Sequence, residues 1–441
     1  MNGKTQEFLP ERSGVNRTPD EKICEKKVLF LKKKDVVIIG GGPAGLAAAV
    51  ELCRRGIRDI LILEREDTAG GILKQCIHDG FGLTRFHKTL SGPEYAQRFL
   101  DEAEKENIQI LTGTSVLSLT PGRVVTAVNR EGFTHFEAKA VVLAMGCRER
   151  TRGALAIPGE RPAGVFTAGV AQSYINLHNR MIGKKVVILG SGDIGMIMAR
   201  RLKLEGAEVS AVFEIQPYPS GLPRNIHQCL DDYGIPLYLS KTVTDIHGKT
   251  RLTGVTVSQV DEKLKPIPGT EQDFACDTLI LSVGLIPENE LSLQAGVKLD
   301  PRTKGAVVDE FCRTSVEGIF AAGNVLHVHD LVDFVSLEAE HLADSVAEYI
   351  KTGGLPENRL RILTDGNINH TVPQKISGKE SFTLSLRVNR PLIGCEIQIL
   401  QNGKVIQRKK MKKAIPAEMI QIPVRQESLS GNGDLEVRAL C

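Results

Sequence analysis

Hydrophobic residues follow two different rhythms along this chain. Up to about Thr352 they gather in short solid runs that end in glycine and lead into stretches with apolar residues at every third or fourth position. Beyond Arg359 they alternate with polar residues instead. In the first rhythm "KKKDVVIIG" carries an unbroken apolar run into Gly40, and "GGPAGLAAAVELCRRG" continues at helical spacing. The next apolar run, "RDILILE", ends at Glu64. Short β-branched runs bounded by glycine and charge predict buried strands, and a spacing of about 3.6 residues predicts the helix between them. The same order returns in "GKKVVILGSGDIGMIMARRLKLEGAEVSAVFE", with Gly190, Gly192 and Gly195 in the turn and Glu214 at the end. Two more apolar strands finish at glycine, "AKAVVLAMG" at Gly146 and "CDTLILSVG" at Gly284, and both glycines are candidate cofactor contacts. The tail places "FTLSLRV", "CEIQIL", "EMIQIPV" and "DLEVRAL" between turns such as "QNGK" and "SGNGD", which predicts a small antiparallel β-sandwich.

Each part of the duplicated unit has a physical purpose. Gly40 permits a tight turn, Gly42 lets the backbone approach a pyrophosphate, and Gly45 lets helix and strand pack closely. Amide hydrogens at the start of the helix then hold phosphate charge. Glu64 follows at the end of the second strand, where a carboxylate can accept both hydroxyls of an adenosine ribose. Glu214 stands at the same spacing from Gly195. One such glycine pattern is weak evidence, but two copies, each with its acid, imply two dinucleotides. Because Glu214 would repel a 2′-phosphate and is followed by "IQPYPSG" rather than arginines, the second site should favour NAD(H).

Composition narrows the class. With 441 residues, 41% of them hydrophobic and 25% charged, the chain can bury more than one core, so two or three domains are expected. A net charge of +3 and no basic stripe interleaved with aromatics argue against a nucleic-acid partner. No apolar run reaches the roughly 20 residues of a transmembrane helix. The polar start "MNGKTQEFLPERSGVNRTPDEKICEKK" has no signal-peptide core, which gives the expectation of a cytoplasmic protein. The nine cysteines include no CxxC and no other metal-type pair, so no metal site is assigned.

The remaining chemistry is thinner. Cys76 in "KQCIHDGFG" is either a lone redox thiolate activated by His78 or a small buried hydrophobe, and the second reading is the commoner fate of such a thiol. His327, His329 and Asp330 follow closely on "IFAAGN", and His329 or Asp330 could tune or protonate a flavin ring. Alternate spacing can also offer two imidazoles to a metal, but no third ligand is identifiable from sequence. Arg148, Arg150 and Arg152 in "GCRERTRG" would meet either an anion or a solvated hinge.

The two cradles, the glycine-ended strands and "RTSVEGIFAAGNVLHVHD" together resemble the pyridine nucleotide-disulfide oxidoreductase superfamily. The resemblance implies an α/β fold with two Rossmann-like dinucleotide-binding domains, one inserted in the other, plus the C-terminal β-sandwich. It implies that the first copy binds FAD and the second NAD(H), and that Gly323 and Asn324, where the family has glycine-aspartate, meet the ribityl chain of FAD. The implied units are a polar extension (1–33), an FAD domain (34–152 and 290–352), an NAD domain (153–289) and a β-rich domain (358–441). The family's disulfide reductases carry a cysteine pair after the ribose acid or a CxxC in the NAD domain, and neither is present here.

Blocks such as "GGILKQCIHDGFGL", "GSGDIGMIMARRLKLEGAEV" and "GNVLHVHDLVDFVS" further resemble companion flavoproteins of bacterial glycerol-3-phosphate dehydrogenase. More distantly they are similar to the α subunits of sarcosine and opine oxidases. That resemblance implies an electron-transferring flavoprotein with a dehydrogenase or iron–sulfur partner subunit. Two alternatives stand beside it: a thiol, peroxide or disulfide reductase working through Cys76, and a non-catalytic flavin-binding subunit that recruits a partner through its tail.

Overall fold

A computed structural model describes residues 31–441. The polar extension therefore lies outside the described residues except for Leu31, Lys32 and Lys33, which open the first strand, Leu31–Ile39. That strand forms because its inner half, Val36 to Ile39, is buried on both sides. Parallel neighbours Ile60–Leu63 and Gly132–Leu143 flank it, and Gln109–Leu111 extends the sheet beyond Ile60–Leu63. Helix Pro43–Arg54 starts with proline, where the missing N–H is no loss, and buries Leu46 to Val50. Each fully buried Leu, Ile or Val contributes about 1.5–3 kcal/mol, so a helix this apolar is held by its core.

The chain returns to this sheet much later. Strand Ile319–Ala321 pairs in parallel with the end of Gly132–Leu143, and helix Val332–Thr352 then packs on helix Pro43–Arg54. Between the visits lies a five-stranded parallel sheet ordered Val165–Thr167, Thr278–Leu281, Lys185–Leu189, Glu208–Phe213, Leu237–Tyr238. Its core is distinct from that of the first sheet. The two crossings run side by side: Cys147–Glu149 pairs antiparallel with Leu285–Pro287. Across this ribbon Arg148 is fixed to Glu288 at 2.5 Å and Glu290 at 2.7 Å. Arg152 donates to the carbonyls of Pro158 and Gly159 at 3.1 and 2.9 Å. Both arginines thus serve the crossing and are not offered to an anion, whereas Arg150 is exposed.

From Leu360 onward the alternating pattern becomes two sheets, of five and three strands, closed over one apolar core. This unit is bolted to the segment before and after strand Ile319–Ala321. Gln374 N–H donates to the Val308 carbonyl at 3.1 Å, and the Glu310 carboxylate accepts the Ser377 N–H at 2.8 Å. Arg387, nearly buried, donates to the carbonyls of Pro416 and Val328 at 2.8 and 3.1 Å and faces Asp330 at 3.4 Å. No described helix is long and apolar enough to cross a membrane.

Candidate functional site: two nucleotide cradles

In the first cradle the backbone leaves no room for side chains. Gly40 has φ +109°, and a Cβ there would lie 2.4 Å from the Ala144 carbonyl oxygen. A Cβ on Gly45 would lie 1.9 Å from the Gly40 oxygen. Gly42 caps helix Pro43–Arg54 without any side-chain bond, and the first turn holds no acid. Its early amides are therefore free to meet an anion. Glu64 is buried, its Oε2 accepting the Gly41 N–H at 2.8 Å and its Oε1 the Glu66 N–H at 2.8 Å. A carboxylate offers about four acceptor positions, so two remain for a diol.

The second cradle repeats the plan with a difference. Gly190 has φ +98°, and Cβ atoms on Gly190 and Gly195 would lie 2.1 Å from the Ser282 carbonyl oxygen and 2.6 Å from the Ser282 Cβ. Gly192 caps helix Asp193–Leu204, again without a side-chain bond. Here, however, Glu214 is ringed by its own chain. Its Oε2 accepts Ser191 N–H at 3.0 Å, Ser191 Oγ–H at 2.6 Å and Ser220 Oγ–H at 2.5 Å, and its Oε1 accepts Gln216 N–H at 2.9 Å. Asp193, in the first helical turn, accepts Leu222 N–H at 2.8 Å and Asn225 Nδ2–H at 2.7 Å.

The duplication runs further than the glycine turn and acid read from sequence. Seven residues after each acid stands another glycine, Gly71 and Gly221, where the chain doubles back over the turn. A Cβ on Gly71 would come within 2.9 Å of Gly42 Cα, and one on Gly221 within 2.9 Å of the Ser191 oxygen. The shared E-x6-G spacing was visible in the sequence as the signal of this return.

Strand Ile319–Ala321 delivers Gly323 onto the first cradle: with φ +76°, a Cβ there would meet Ala44 Cβ at 2.9 Å. Asn324 follows, its Nδ2 directed at Cys147 Sγ (3.7 Å) and its Oδ1 accepting the His329 N–H at 3.0 Å. Gly146 and Gly284 take φ +71° and +99° at the two ends of the crossing ribbon, where no neighbour would obstruct a side chain. Their positive φ calls for glycine at the turn, and the space beside each is open.

Behind Asn324 the structure supplies the third group that sequence could not identify. Glu338, on helix Val332–Thr352, lies 2.7 Å from His327 Nε2 and 3.5 Å from His329 Nε2, and its other oxygen accepts Gly323 N–H at 2.7 Å. These donor atoms all lie within 4.8 Å of one another, a set that a cation could use. Burial pushes the Glu338 carboxyl up, but the two imidazoles outweigh that and hold it well below the usual carboxylate range. Burial, with His329 next to it, lowers His327. Asp330 faces away from this cluster, toward Arg387 and the Met419 N–H.

Cys76 ends a short 3-10 turn and is largely buried, its Sγ–H on the Ile72 carbonyl at 3.4 Å. Burial pushes its thiol up to about 12. His78, the proposed activating base, instead sets its Nδ1 on the Asp79 carbonyl at 3.1 Å and its ring against Phe81. All the described cysteines are free thiols.

Comparison with known proteins agrees with this geometry. A family model described as pyridine nucleotide-disulphide oxidoreductase matches residues 34–344. The chain is 27% identical to the glutamate synthase [NADPH] small chain of Mycobacterium tuberculosis over 73% of its own length and 67% of that protein's. It is 28% identical to an opine oxidase subunit from Agrobacterium tumefaciens over 66% of its length and 61% of that protein's. The crystal structure of T. acidophilum thioredoxin reductase superposes with a TM-score of 0.60 at 27% identity, covering 72% of this chain and 98% of that one. The chain spans about three fifths to two thirds of the curated relatives' length. FAD and NAD(P)H are the cofactors of proteins with this fold and family match, and the residues of both cradles fit such groups.

Proposed function

We propose that this chain, which belongs to the pyridine nucleotide-disulphide oxidoreductase family, transfers hydride between NAD(H) and FAD and passes electrons to a partner subunit or small acceptor. Glycerol-3-phosphate or amine and amino-acid oxidation is the setting. The single observation that carries the reading is the pair of cradles, each closed by glycine and each ending in a buried acid. In this reading residues 34–152 and 290–352 hold FAD, 153–289 hold NAD(H), and 358–441 form the β-rich unit. When bound, flavin supplies a two-electron carrier that can accept hydride and release electrons onward. The chain's own part is positional: free helix-start amides hold the pyrophosphates, Glu64 gives its two open acceptor positions to the FAD ribose, and Glu214 exchanges the Ser191 and Ser220 hydroxyls for the hydroxyls of the NAD(H) ribose. Gly323 and Asn324 fix the ribityl end beside the first cradle. A partner is supported by the names of two relatives, the opine oxidase subunit and the glutamate synthase small chain. A cytoplasmic setting suits the free thiols.

Anaerobic titration of the full chain tests the reading. NADH should bleach the flavin absorbance at a concentration at least about tenfold below that needed with NADPH, because the buried Glu214 carboxylate would meet a 2′-phosphate as a like charge. Glu214→Gln should narrow that gap. Equal potency of the two nucleotides would remove the NAD(H) assignment, and no bleaching would leave the non-catalytic subunit in its place.

A thiol-dependent reductase remains the second reading, since Cys76 follows the FAD-side acid in sequence. Its raised thiol weighs against it, because a nucleophilic cysteine works as the thiolate. Cys76→Ser should leave NADH-driven reduction of an artificial dye within about twofold of the unaltered protein. A loss of thiol or disulfide turnover in that variant, with dye reduction retained, would restore the thiol route.

A further inference from the structure

Hydrogen bonding along the last strand decides which of its residues meet their neighbours side to side. Strand Leu435–Leu440 lies between Leu360–Thr364 and Leu392–Gln401 and runs antiparallel to the latter, with Ala439 opposite Ile397 and Leu440 opposite Glu396. The Ala439 N–H donates to Asp365 Oδ2 at 3.0 Å, and the Ala439 carbonyl accepts Asn367 Nδ2–H at 3.0 Å. Both groups therefore point away from Leu392–Gln401. Ile397 and Ala439 thus form a non-hydrogen-bonded pair, the kind whose Cα atoms stand about 4.5 Å apart. Two residues further along, the same alternation sets Cys395 opposite Cys441 in another such pair. A disulfide spans Cα atoms about 4.4–6.8 Å apart, so this position suits one. The side chains also share a face, and the two thiols lie within hydrogen-bond reach of each other.

The two sulfurs differ in access. Cys395 is 2% exposed and belongs to the core of the β-rich unit. Cys441 is exposed, and it is the one exposed thiol among the described cysteines. Burial pushes the Cys395 thiol up, and the Cys441 sulfur beside it adds to the shift. An attack on an outside reagent therefore starts at Cys441, with Cys395 waiting behind it.

We propose that Cys395 and Cys441 form a thiol–disulfide modification site, closed into a cross-strand disulfide by low-mass disulfides and reopened by thiols, and that the closed link staples the last strand of the β-rich unit. Cys441, as the thiolate, attacks one sulfur of a small disulfide RSSR, leaves a Cys441–SR bond and releases RS⁻. The Cys395 sulfur, losing its proton, then attacks the Cys441 sulfur and expels the second RS⁻. The protons given up by the two cysteines convert both RS⁻ to RSH. The small disulfide gains the two electrons that the pair loses. An exposed disulfide is the readily reduced kind, which makes the link reversible.

The test uses the reduced full chain treated with glutathione disulfide, then alkylated, digested without reductant and read by mass spectrometry. A peptide pair joining Cys395 to Cys441, two hydrogens lighter than the reduced pair, should appear and should vanish with dithiothreitol. Cys395→Ala should instead keep glutathione on Cys441, and Cys441→Ser should form neither product. Absence of the link in the unaltered protein, or glutathione held on its Cys441 without closure, would overturn the proposal. That digest decides the pairing even if Cys395→Ala fails to fold. Amide exchange across Leu435–Leu440 should be at least about tenfold slower in the oxidised protein, because the cross-link removes open conformations of the segment it closes. Equal exchange in the two forms would overturn the staple.

Discussion

Gly45→Ala should yield a protein whose flavin-to-protein ratio, read from its visible spectrum, is more than about tenfold below that of the unaltered chain, as forced overpacking of a closed backbone contact predicts. The added carbon would lie 1.9 Å from the Gly40 oxygen and 3.2 Å from Ile38 Cγ2, against an ordinary contact of about 3.5–4.0 Å. Neither partner can yield. Gly40 is pinned at φ +109° with its N–H on the Leu63 carbonyl at 2.9 Å, and Ile38 is fully buried in the central strand. The helix must therefore withdraw, and its first-turn amides leave the place where they would hold a pyrophosphate. Gly195→Ala should spare the flavin and weaken NADH instead, since its clash is with Ser282 in the second cradle. Gly354→Ala, in open space, should change neither. Full flavin content in Gly45→Ala would refute the assignment of the first cradle.

The second large effect is on stability. Arg387→Met should lower the denaturation midpoint by an amount equivalent to about 3–5 kcal/mol, the usual cost of removing one partner from a buried pair. The loss has two parts. Asp330, whose side chain is 8% exposed, keeps its carboxylate without its cation. The carbonyls of Val328, Pro416 and Ala417 lose a shared donor at the seam between the β-rich unit and the segment that follows Asn324. The seam should open first, so protease should cut the 353–358 stretch faster than in the unaltered chain. An unchanged midpoint would mean that Arg387 is replaceable by the contacts of Glu310 and Gln374.

These two cases show what sequence could and could not supply. Gly45 was legible because its reason is local: a turn, a strand and a helix within a few residues of one another dictate the missing side chain. The same holds for Glu64 and Glu214, which a strand of known length carries to the nucleotide's edge. Arg387 was not legible as the partner of Asp330, because 57 residues separate them and only the packing of the tail brings them together. Glu338 was hidden differently. In "VSLEAEHLADSV" it is one of two glutamates on an amphipathic helix, and nothing in the pattern tells which faces inward. The fold turns Glu338 under Gly323 and leaves Glu340 to Arg85 at 2.7 Å. Arg148 of "GCRERTRG" was open between two readings for the same reason, since its acidic partners Glu288 and Glu290 arrive on the second crossing.

That second crossing has a mechanical consequence. Because Cys147–Glu149 and Leu285–Pro287 are zipped together, the two crossings form one ribbon and not two separate cords, and Gln75 ties the inserted unit at a second place through Gly169, Gln172 and Asn176. Like a page held by its binding and a clasp, that unit can turn about the ribbon only after the Gln75 hydrogen bonds to Gly169, Gln172 and Asn176 let go. The Arg148 pair with Glu288 sits at the root of any such turn, and the glutamine latch sets its threshold.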